Sequence, residues 1–451
     1  MEISKNSPKQ PIRPYQALIL GFLAVILVGT LLLLLPISTA EGNHTSLVDA
    51  LFTATSAVCV TGLIVVDTAS HWSDFGHVVI MCLIQIGGLG IMTMSTAIAL
   101  LLGRRISFRE RLLIKESLGT VSLEGLVRLV RIILMFTITF VLSATVLLTI
   151  RWSAEYSIGQ AAWLGLFHSV SAFNNAGFDI FGTSLMNYVN DPIVNAIFVF
   201  LIISGGLGFT VLAEIYKRTT TPNERGRFTL HTKVVAGVTL TLLLVGTLFI
   251  FAAEFNNSDT MGNLQWYEKL LASFFTAVTP RTAGFNTLPT GALRHSSLFF
   301  IVMLMFIGGS AGSTAGGVKT TTFFALVATV INTCRGNSRV QVFDRSLKWD
   351  TIRASMSIVS LALILVFAVT LLLLTLEGAP LVDCLFEAMS AFGTVGLSTG
   401  LTPDLSIPGR LLITFTMFVG RLGPLTLALA FAGPDYQGNK YNYPKESIMI
   451  G

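Results

Sequence analysis

Residues 381–400 read LVDCLFEAMSAFGTVGLSTG, a short helical stretch that runs straight into a glycine-centred loop. Leu381, Leu385 and Met389, with Phe386 beside them, recur at helical spacing; at Thr394, Val395 and Gly396 that pattern gives way to backbone chemistry. The design occurs three more times, as LVDALFTATSAVCVTGL over 47–63, WLGLFHSVSAFNNAGF over 163–178 and KLLASFFTAVTPRTAGF over 269–285. In each copy a phenylalanine stands ten residues before the glycine: Phe52 and Gly62, Phe167 and Gly177, Phe274 and Gly284, Phe386 and Gly396. The copies therefore align without a gap. Successive glycines are 115, 107 and 112 residues apart, the mark of a fourfold internal repeat in which each unit supplies a quarter of one shared centre.

The solvent for this design is lipid. Of 451 residues 53% are hydrophobic and only 12% charged, and the mean hydropathy is +0.74, so the chain is an integral membrane protein. Cys59, Cys82, Cys334 and Cys384 show no metal-ligand spacing and read as core thiols. The first apolar run, over about 17–35 and closed by Pro36, is long enough to cross a bilayer and longer than the core of a signal peptide.

Around the four loops the chain alternates long helix, short re-entrant segment and second long helix. The flanking helices are expected over 17–35 and 75–102, 126–150 and 193–216, 232–253 and 297–331, and 355–376 and 411–431. The fold class is thus an all-α membrane protein of four tandem M1–pore-helix–M2 repeats, with eight transmembrane helices and four re-entrant loops set pseudo-fourfold around a central pore. The repeats are expected over 1–103, 104–231, 232–334 and 335–433, with a tail over 434–451. A Gly-rich motif falls 24 to 28 residues after each loop glycine, as in Gly87-Gly88-Leu89-Gly90, Gly205-Gly206-Leu207-Gly208, Gly308-Gly309 and Gly420-Arg421-Leu422-Gly423.

Charge sets the sidedness. Arg104, Arg105, Arg109, Arg111, Lys115, Lys217, Arg218, Arg225, Arg227, Arg335, Arg339, Arg345 and Lys348 gather on one side, against Arg151, Lys269, Arg281, Arg294 and Arg410 on the other. The positive-inside rule then places both termini in the cytoplasm and the glycine loops on the outer side. Glu41, Asp49, Glu155, Glu254, Asp259, Glu377, Asp383 and Glu387 fall on that outer side, either as a field that favours cations or as ordinary solvated loop charges.

Irregular backbone survives at membrane depth only where protein buries it or where it lines a wet cavity. Four such loops meeting on an axis can turn carbonyl oxygens inward and replace the water shell of a partly dehydrated cation. The expected lining is Val60, Thr61 and Gly62; Asn175, Ala176 and Gly177; Thr282, Ala283 and Gly284; Thr394, Val395 and Gly396. Glycine suits the backbone angles that aim consecutive carbonyls at one axis.

The third unit departs from the pattern beyond its loop. Gly308, Gly309, Ser310, Ala311, Gly312, Ser313, Thr314, Ala315, Gly316 and Gly317 are too glycine-rich and polar for a stable helix in lipid, and Lys319 follows. The favoured reading is a flexible gate crossing the pore. Gly308, Gly312 and Gly316 also match a small-xxx-small helix-packing face, while a phosphate loop is a near miss because Val318 separates Gly317 from Lys319. Arg421, placed where other units carry glycine or small residues, needs acceptors inside the protein; loop carbonyls or hydroxyls such as those of Ser310, Ser313 and Thr314 are the expected partners, and the alternative is that it snorkels or pairs with an acid.

The loops VTGL, NAGF, TAGF and TVGL together with GGSAGSTAGGVKTTTF over 308–323 resemble the Trk/Ktr/HKT superfamily of potassium transporters, and within it the bacterial KtrB-type membrane subunit. The resemblance spans about residues 14–433. It implies K⁺ translocation, often Na⁺-dependent, by a homodimer with one pore per protomer in the bacterial plasma membrane. Relatives that favour Na⁺ often carry serine at the first loop glycine, so Gly62 points to K⁺. No G-x-G-x-x-G follows a strand pattern, so the resemblance further implies a separate cytoplasmic ring of RCK-type, KtrA-like nucleotide-binding subunits. Its expected docking surfaces are the basic segments near 103–125, 217–231 and 335–354; the alternative reading is that these segments only set topology and touch anionic lipid. No organic cofactor and no nucleic-acid partner are expected.

Two other classes compete. An enzyme is disfavoured because His44, His71, His77, His168, His231 and His295 form no cluster with carboxylates or cysteines; His168 reads as a packing or hydrogen-bonding residue. A Na⁺-coupled or non-selective cation transporter remains the alternative, although repeats that all run in one direction argue against the inverted architecture of many secondary transporters.

Overall fold

A computed structural model describes residues 14–42, 44–91, 93, 94, 96, 126–220, 228–337, 339–343 and 345–431. The 434–451 tail and the basic residues Arg104, Arg105, Arg109, Arg111, Lys115, Arg225 and Arg227 lie outside them.

The element order groups by fours. First come α1 (Pro14–Leu33), α2 (Leu47–Val58), the single turn α3 (Thr68–His71) and α4 (Asp74–Leu89). They are followed by α5 (Leu126–Trp152), α6 (Ile158–Phe173), α7 (Pro192–Gly206) and α8 (Phe209–Thr220), and then by α9 (Leu230–Glu254), α10 (Trp266–Val278), α11 (His295–Phe306) and α12 (Thr320–Cys334). A two-stranded hairpin, β1 (Gln341–Val342) with β2 (Arg345–Ser346), leads to α13 (Trp349–Glu377), α14 (Leu381–Gly393), α15 (Ile407–Leu422) and α16 (Pro424–Phe431). Of these, α1, α5, α9 and α13 have the length and apolar composition to cross a membrane; α7 and α8, bent by 101°, form a fifth candidate if counted as one span. At 1.5 Å per residue even the 20-residue α1 is about 30 Å long.

Of the short helices α2, α6, α10 and α14, the first three begin at side-chain caps, and α14 starts after Pro380 without one. Ser46 and Ser157 accept from the backbone N–H groups of Asp49 and Gln160, and Gln265 with Glu268 closes a capping box. Their carboxyl halves are enclosed by protein on every side. In α14 each residue from Phe386 to Gly393 is buried, whereas Leu381 at its entrance is 60% exposed. The stripe expected from Leu381, Leu385 and Met389 therefore describes only the first turns. A helix plugged into the protein has no solvent face.

The gap-free alignment of the four copies needs one correction. Phe52, Phe167 and Phe386 are fully buried, but in the third copy it is Phe275 that is, with Phe274 only partly so. Four residues after the buried phenylalanine stands a hydroxyl side chain in every copy: Ser56, Ser171, Thr279 and Ser390. The glycine follows after six residues in three copies and after five in the third. The third loop is one residue shorter.

The final helix of each unit is broken, a second correction to the continuous spans expected over 75–102, 193–216 and 411–431. Gly90 (φ +83°), Gly208 (φ +96°) and Gly423 (φ +86°) end α4, follow α7 and end α15, while the third unit replaces a single glycine with residues 307–319. Just before three of these breaks a glycine lets the backbones meet: a Cβ on Gly87, Gly205 or Gly420 would stand about 2 Å from the carbonyl oxygen of Val58, Phe173 or Phe392, at the end of the same unit's short helix.

The outer acids are neither a free field nor solvated charges throughout. Glu254 and Glu387 are fully buried. Glu254 accepts from Arg294 N at 3.0 Å and Glu377 from Ser406 N at 3.1 Å, tying the end of α9 to the start of α11 and the end of α13 to the start of α15. Arg410 pairs with Asp49 at 2.5 Å and joins the fourth unit to the first, and Arg151 pairs with Asp191 at 2.6 Å and Glu155 at 3.0 Å. Among the thiols, Cys59 and Cys384 are core residues as expected, but Cys82 and Cys334 lie on outward faces of α4 and α12.

Candidate functional site: a ring of four loops and the segment behind it

Each short helix delivers its chain into one repeated backbone conformation. The loop glycines take φ of +86° (Gly62), +71° (Gly177), +76° (Gly284) and +90° (Gly396). Two residues earlier, a residue that is not glycine also enters the left-handed region: Val60 (+57°), Asn175 (+59°), Thr282 (+73°) and Thr394 (+50°). This pairing was not legible in the sequence, where glycine alone was expected to carry the unusual angles. The residue between them, Thr61, Ala176, Ala283 or Val395, is not of positive φ, so the backbone alternates along each loop, a pattern that can turn consecutive carbonyls to one side. Holding a side-chain-bearing residue in the left-handed region costs about 1–2 kcal/mol, so the surroundings must fix it.

The fixing groups are the hydroxyls missed at the sequence level. Ser56 Oγ donates to Leu63 O at 2.8 Å and accepts from Gly62 N at 3.1 Å. Ser171 Oγ donates to Phe178 O at 2.8 Å, Thr279 Oγ1 to Phe285 O at 2.5 Å, and Ser390 Oγ accepts from Gly396 N at 3.1 Å. The signal was present as a buried Phe followed four residues later by Ser or Thr, but an alignment on the glycines hides it in the third copy.

The loops close on one another. A Cβ on Gly62 would lie 2.3 Å from Ala176 O, one on Gly177 2.9 Å from Gly284 Cα, one on Gly284 2.6 Å from Val395 O, and one on Gly396 2.2 Å from Thr61 O. These contacts run first to second, second to third, third to fourth and fourth back to first. Any side chain on these four positions would strike neighbouring backbone. Asn175 and Thr282, from adjacent loops, share a hydrogen bond of 3.2 Å. Because each loop follows the carboxyl end of its short helix, the partial negative ends of α2, α6, α10 and α14 converge on the ring, an arrangement that favours a cation.

Behind the ring lies the segment between α11 and α12. It is not helical, so Gly308, Gly312 and Gly316 do not form a helix-packing face. The segment is pinned at both ends by Gly308 N on Val318 O at 2.9 Å, with Thr320 N on Gly309 O at 3.1 Å. Its middle spans the break between α7 and α8: Ser310 N donates to Gly206 O at 3.0 Å, Thr314 N to Gly205 O at 3.2 Å, and Phe209 N to Gly312 O at 2.8 Å. Gly316 and Gly317 pack against Thr394 and Gly393 of the fourth unit. Lys319 Nζ donates to Ala315 O at 2.7 Å, Ser313 Oγ to Ser310 O at 2.7 Å, and the Ser310 and Thr320 hydroxyls are 3.2 Å apart.

Arg421 locks this arrangement. Its guanidinium donates to the Thr314 carbonyl, to the Gly87 carbonyl and, at 3.2 Å, to the Gly88 carbonyl. Thr314 was an expected partner; the two carbonyls from α4 were not, and the Ser310 and Ser313 side chains serve the segment itself. Arg421 thereby ties the first, third and fourth units together with charge-assisted bonds. On the far side of the segment lies a cavity of about 350 Å³, bordered by Phe22, Gly90, Phe209, Lys319 and Arg421 among others.

Residues 4–440 match the family model TrkH, described as cation transport protein. The chain is 44% identical over 439 residues to "Ktr system potassium uptake protein B" of Bacillus subtilis, with 97% of each chain covered. It is 37% identical to "Potassium/sodium uptake protein NtpJ" of Enterococcus hirae, with 100% of each covered. In fold it is similar to the crystal structure of the potassium transporter TrkH from Vibrio parahaemolyticus, with a TM-score of 0.74 at 18% identity over 96% of this chain and 87% of that one. This multi-pass membrane protein belongs to the TrkH family of cation transport proteins.

Proposed function

We propose that the chain is the ion-translocating membrane subunit of a bacterial K⁺ uptake system. The closed ring of four left-handed glycines, backed by four converging helix carboxyl ends, carries this reading. Carbonyls of Val60, Thr61 and Gly62 and their counterparts replace the hydration shell of the ion, and the choice of K⁺ as that ion draws on the potassium uptake named for the relatives in Bacillus subtilis and Enterococcus hirae. Each of the four units forms one M1–pore-helix–M2 quarter of a pseudo-fourfold pore with eight spans, divided near residues 103, 231 and 334. The 307–319 segment, held by Arg421, is the gate.

The chain works in the plasma membrane as a homodimer with both termini in the cytoplasm. The word "system" in the Bacillus subtilis relative's name implies further components, and a nucleotide-binding regulatory ring docked on the basic cytoplasmic segments supplies control. Na⁺ stimulates uptake. The second reading, a transporter that also carries Na⁺, draws on the "potassium/sodium" name of the Enterococcus hirae relative. Expression in cells lacking K⁺ uptake decides between them: the proposal predicts growth at low K⁺ and K⁺ uptake well above Na⁺ uptake. Equal uptake of the two ions favours the second reading, and no uptake of either overturns both.

A further inference from the structure

We propose that His168 and Glu387 are positioning residues that brace two opposite corners of the ring and thereby set its discrimination between K⁺ and Na⁺. The inference rests on the filter reading above and goes beyond it, since it adds a twofold brace to the fourfold support that the hydroxyls give. In each short helix one position directly follows the buried phenylalanine: Thr53, His168, Thr276 and Glu387. All four are buried.

In the second and fourth units this side chain reaches forward past the loop glycine. His168 Nδ1 faces Leu164 O at 2.8 Å, which makes Nδ1 the protonated nitrogen and leaves Nε2 to accept the backbone N–H of Ile180 at 3.4 Å. Glu387 Oε1 accepts the N–H of Thr399 at 3.2 Å and the Ser398 hydroxyl, while Oε2 accepts the Thr402 hydroxyl at 2.6 Å. Ile180 and Thr399 each stand three residues beyond the loop glycine, so two chemically unrelated side chains do the same job at the same register.

The first and third units lack this brace. Thr276 Oγ1 bonds back to Ala272 O in its own helix at 2.7 Å, and Thr53 Oγ1 has no hydrogen-bond partner among the described residues. Gly62 borders Gly177 and Gly396, and so does Gly284; the braced second and fourth loops are therefore diagonal across the ring. A clamp on one diagonal limits how far the ring can narrow toward a smaller ion.

The test compares K⁺ and Na⁺ uptake by the full chain in proteoliposomes at equal protein content. Glu387→Asp keeps the charge but shortens the reach, and Glu387→Gln keeps the reach but removes the charge. Positioning predicts that Asp lowers the K⁺:Na⁺ ratio about tenfold, the scale of one lost buried hydrogen bond, that Gln nearly preserves it, and that His168→Ala acts like Asp. Thr53→Ala should leave the ratio unchanged. A ratio unchanged in Glu387→Asp and His168→Ala, or one that falls in Gln but not in Asp, overturns the proposal. Gly284→Ser, run in parallel, separates the failures: if it lowers the ratio while Glu387→Asp does not, only the brace falls, and if it leaves the ratio intact the filter reading itself falls.

Discussion

In the ring, four loops share one conformation, with φ of +50° to +73° at Val60, Asn175, Thr282 and Thr394 and of +71° to +90° at the glycines. Residues 307–319, directly behind it, have no counterpart among the described residues of the other three units, and Arg421 stands where two of them carry Gly88 and Gly206. The two regions differ in how they are held as well as in symmetry. Each ring loop is fixed by a hydroxyl of its own unit, Ser56, Ser171, Thr279 or Ser390, with the Asn175–Thr282 bond added between two loops. The segment adds to its internal bonds a set between units, through Gly205, Gly206, Gly312 and the Arg421 contacts. A structure held locally four times over is suited to keep one geometry while ions pass. One held by bonds between units can open when those units shift.

That contrast can be broken at several points. Gly284→Ser should have the largest effect, because its Cβ would meet Val395 O at 2.6 Å and serine resists φ +76°; K⁺ selectivity in uptake assays should fall at least about tenfold, matching a left-handed cost of about 1–2 kcal/mol. Arg421→Ala comes next. Losing charge-assisted bonds worth about 1.5–3 kcal/mol each should raise resting K⁺ flux through reconstituted protein several-fold or more, and unchanged flux at equal protein content would remove the segment from the gate.

Smaller effects sharpen the picture. Ser390→Ala removes the acceptor for Gly396 N, a loss of about 1 kcal/mol that should reduce selectivity a few-fold, measured as Rb⁺ against Na⁺ uptake, and leave resting flux alone. Gly312→Ala, at φ +67° in the segment, should do the converse: a modest change in flux with selectivity intact, since alanine there disfavours the present conformation by about 1 kcal/mol.

The ring was largely legible in the sequence because repetition multiplies a weak signal. One glycine loop says little, while Gly62, Gly177, Gly284 and Gly396 at near-equal spacing say much. The shorter third loop escaped notice because Phe274 beside Phe275 satisfies the gap-free alignment equally well, and only burial separates them. The left-handed Val60 and Thr394 escaped because neither residue type favours that region, and tertiary bonds override local preference. Breaks at Gly90, Gly208 and Gly423 escaped because a short Gly-rich motif inside an apolar run does not by itself disclose a break; the glycine-dense third unit did. Arg421 was legible as a buried cation in need of acceptors, but its contacts with Gly87 and Gly88 depend on which units are neighbours.

The central claim is that selection and control are separable in space. Flux and selectivity measured together for Gly284→Ser and Arg421→Ala, in the same vesicles, test it most directly. The account predicts that Gly284→Ser lowers the K⁺:Na⁺ ratio and that Arg421→Ala raises the K⁺ rate at an unchanged ratio. A fall in the ratio in Arg421→Ala equal to that in Gly284→Ser would contradict it.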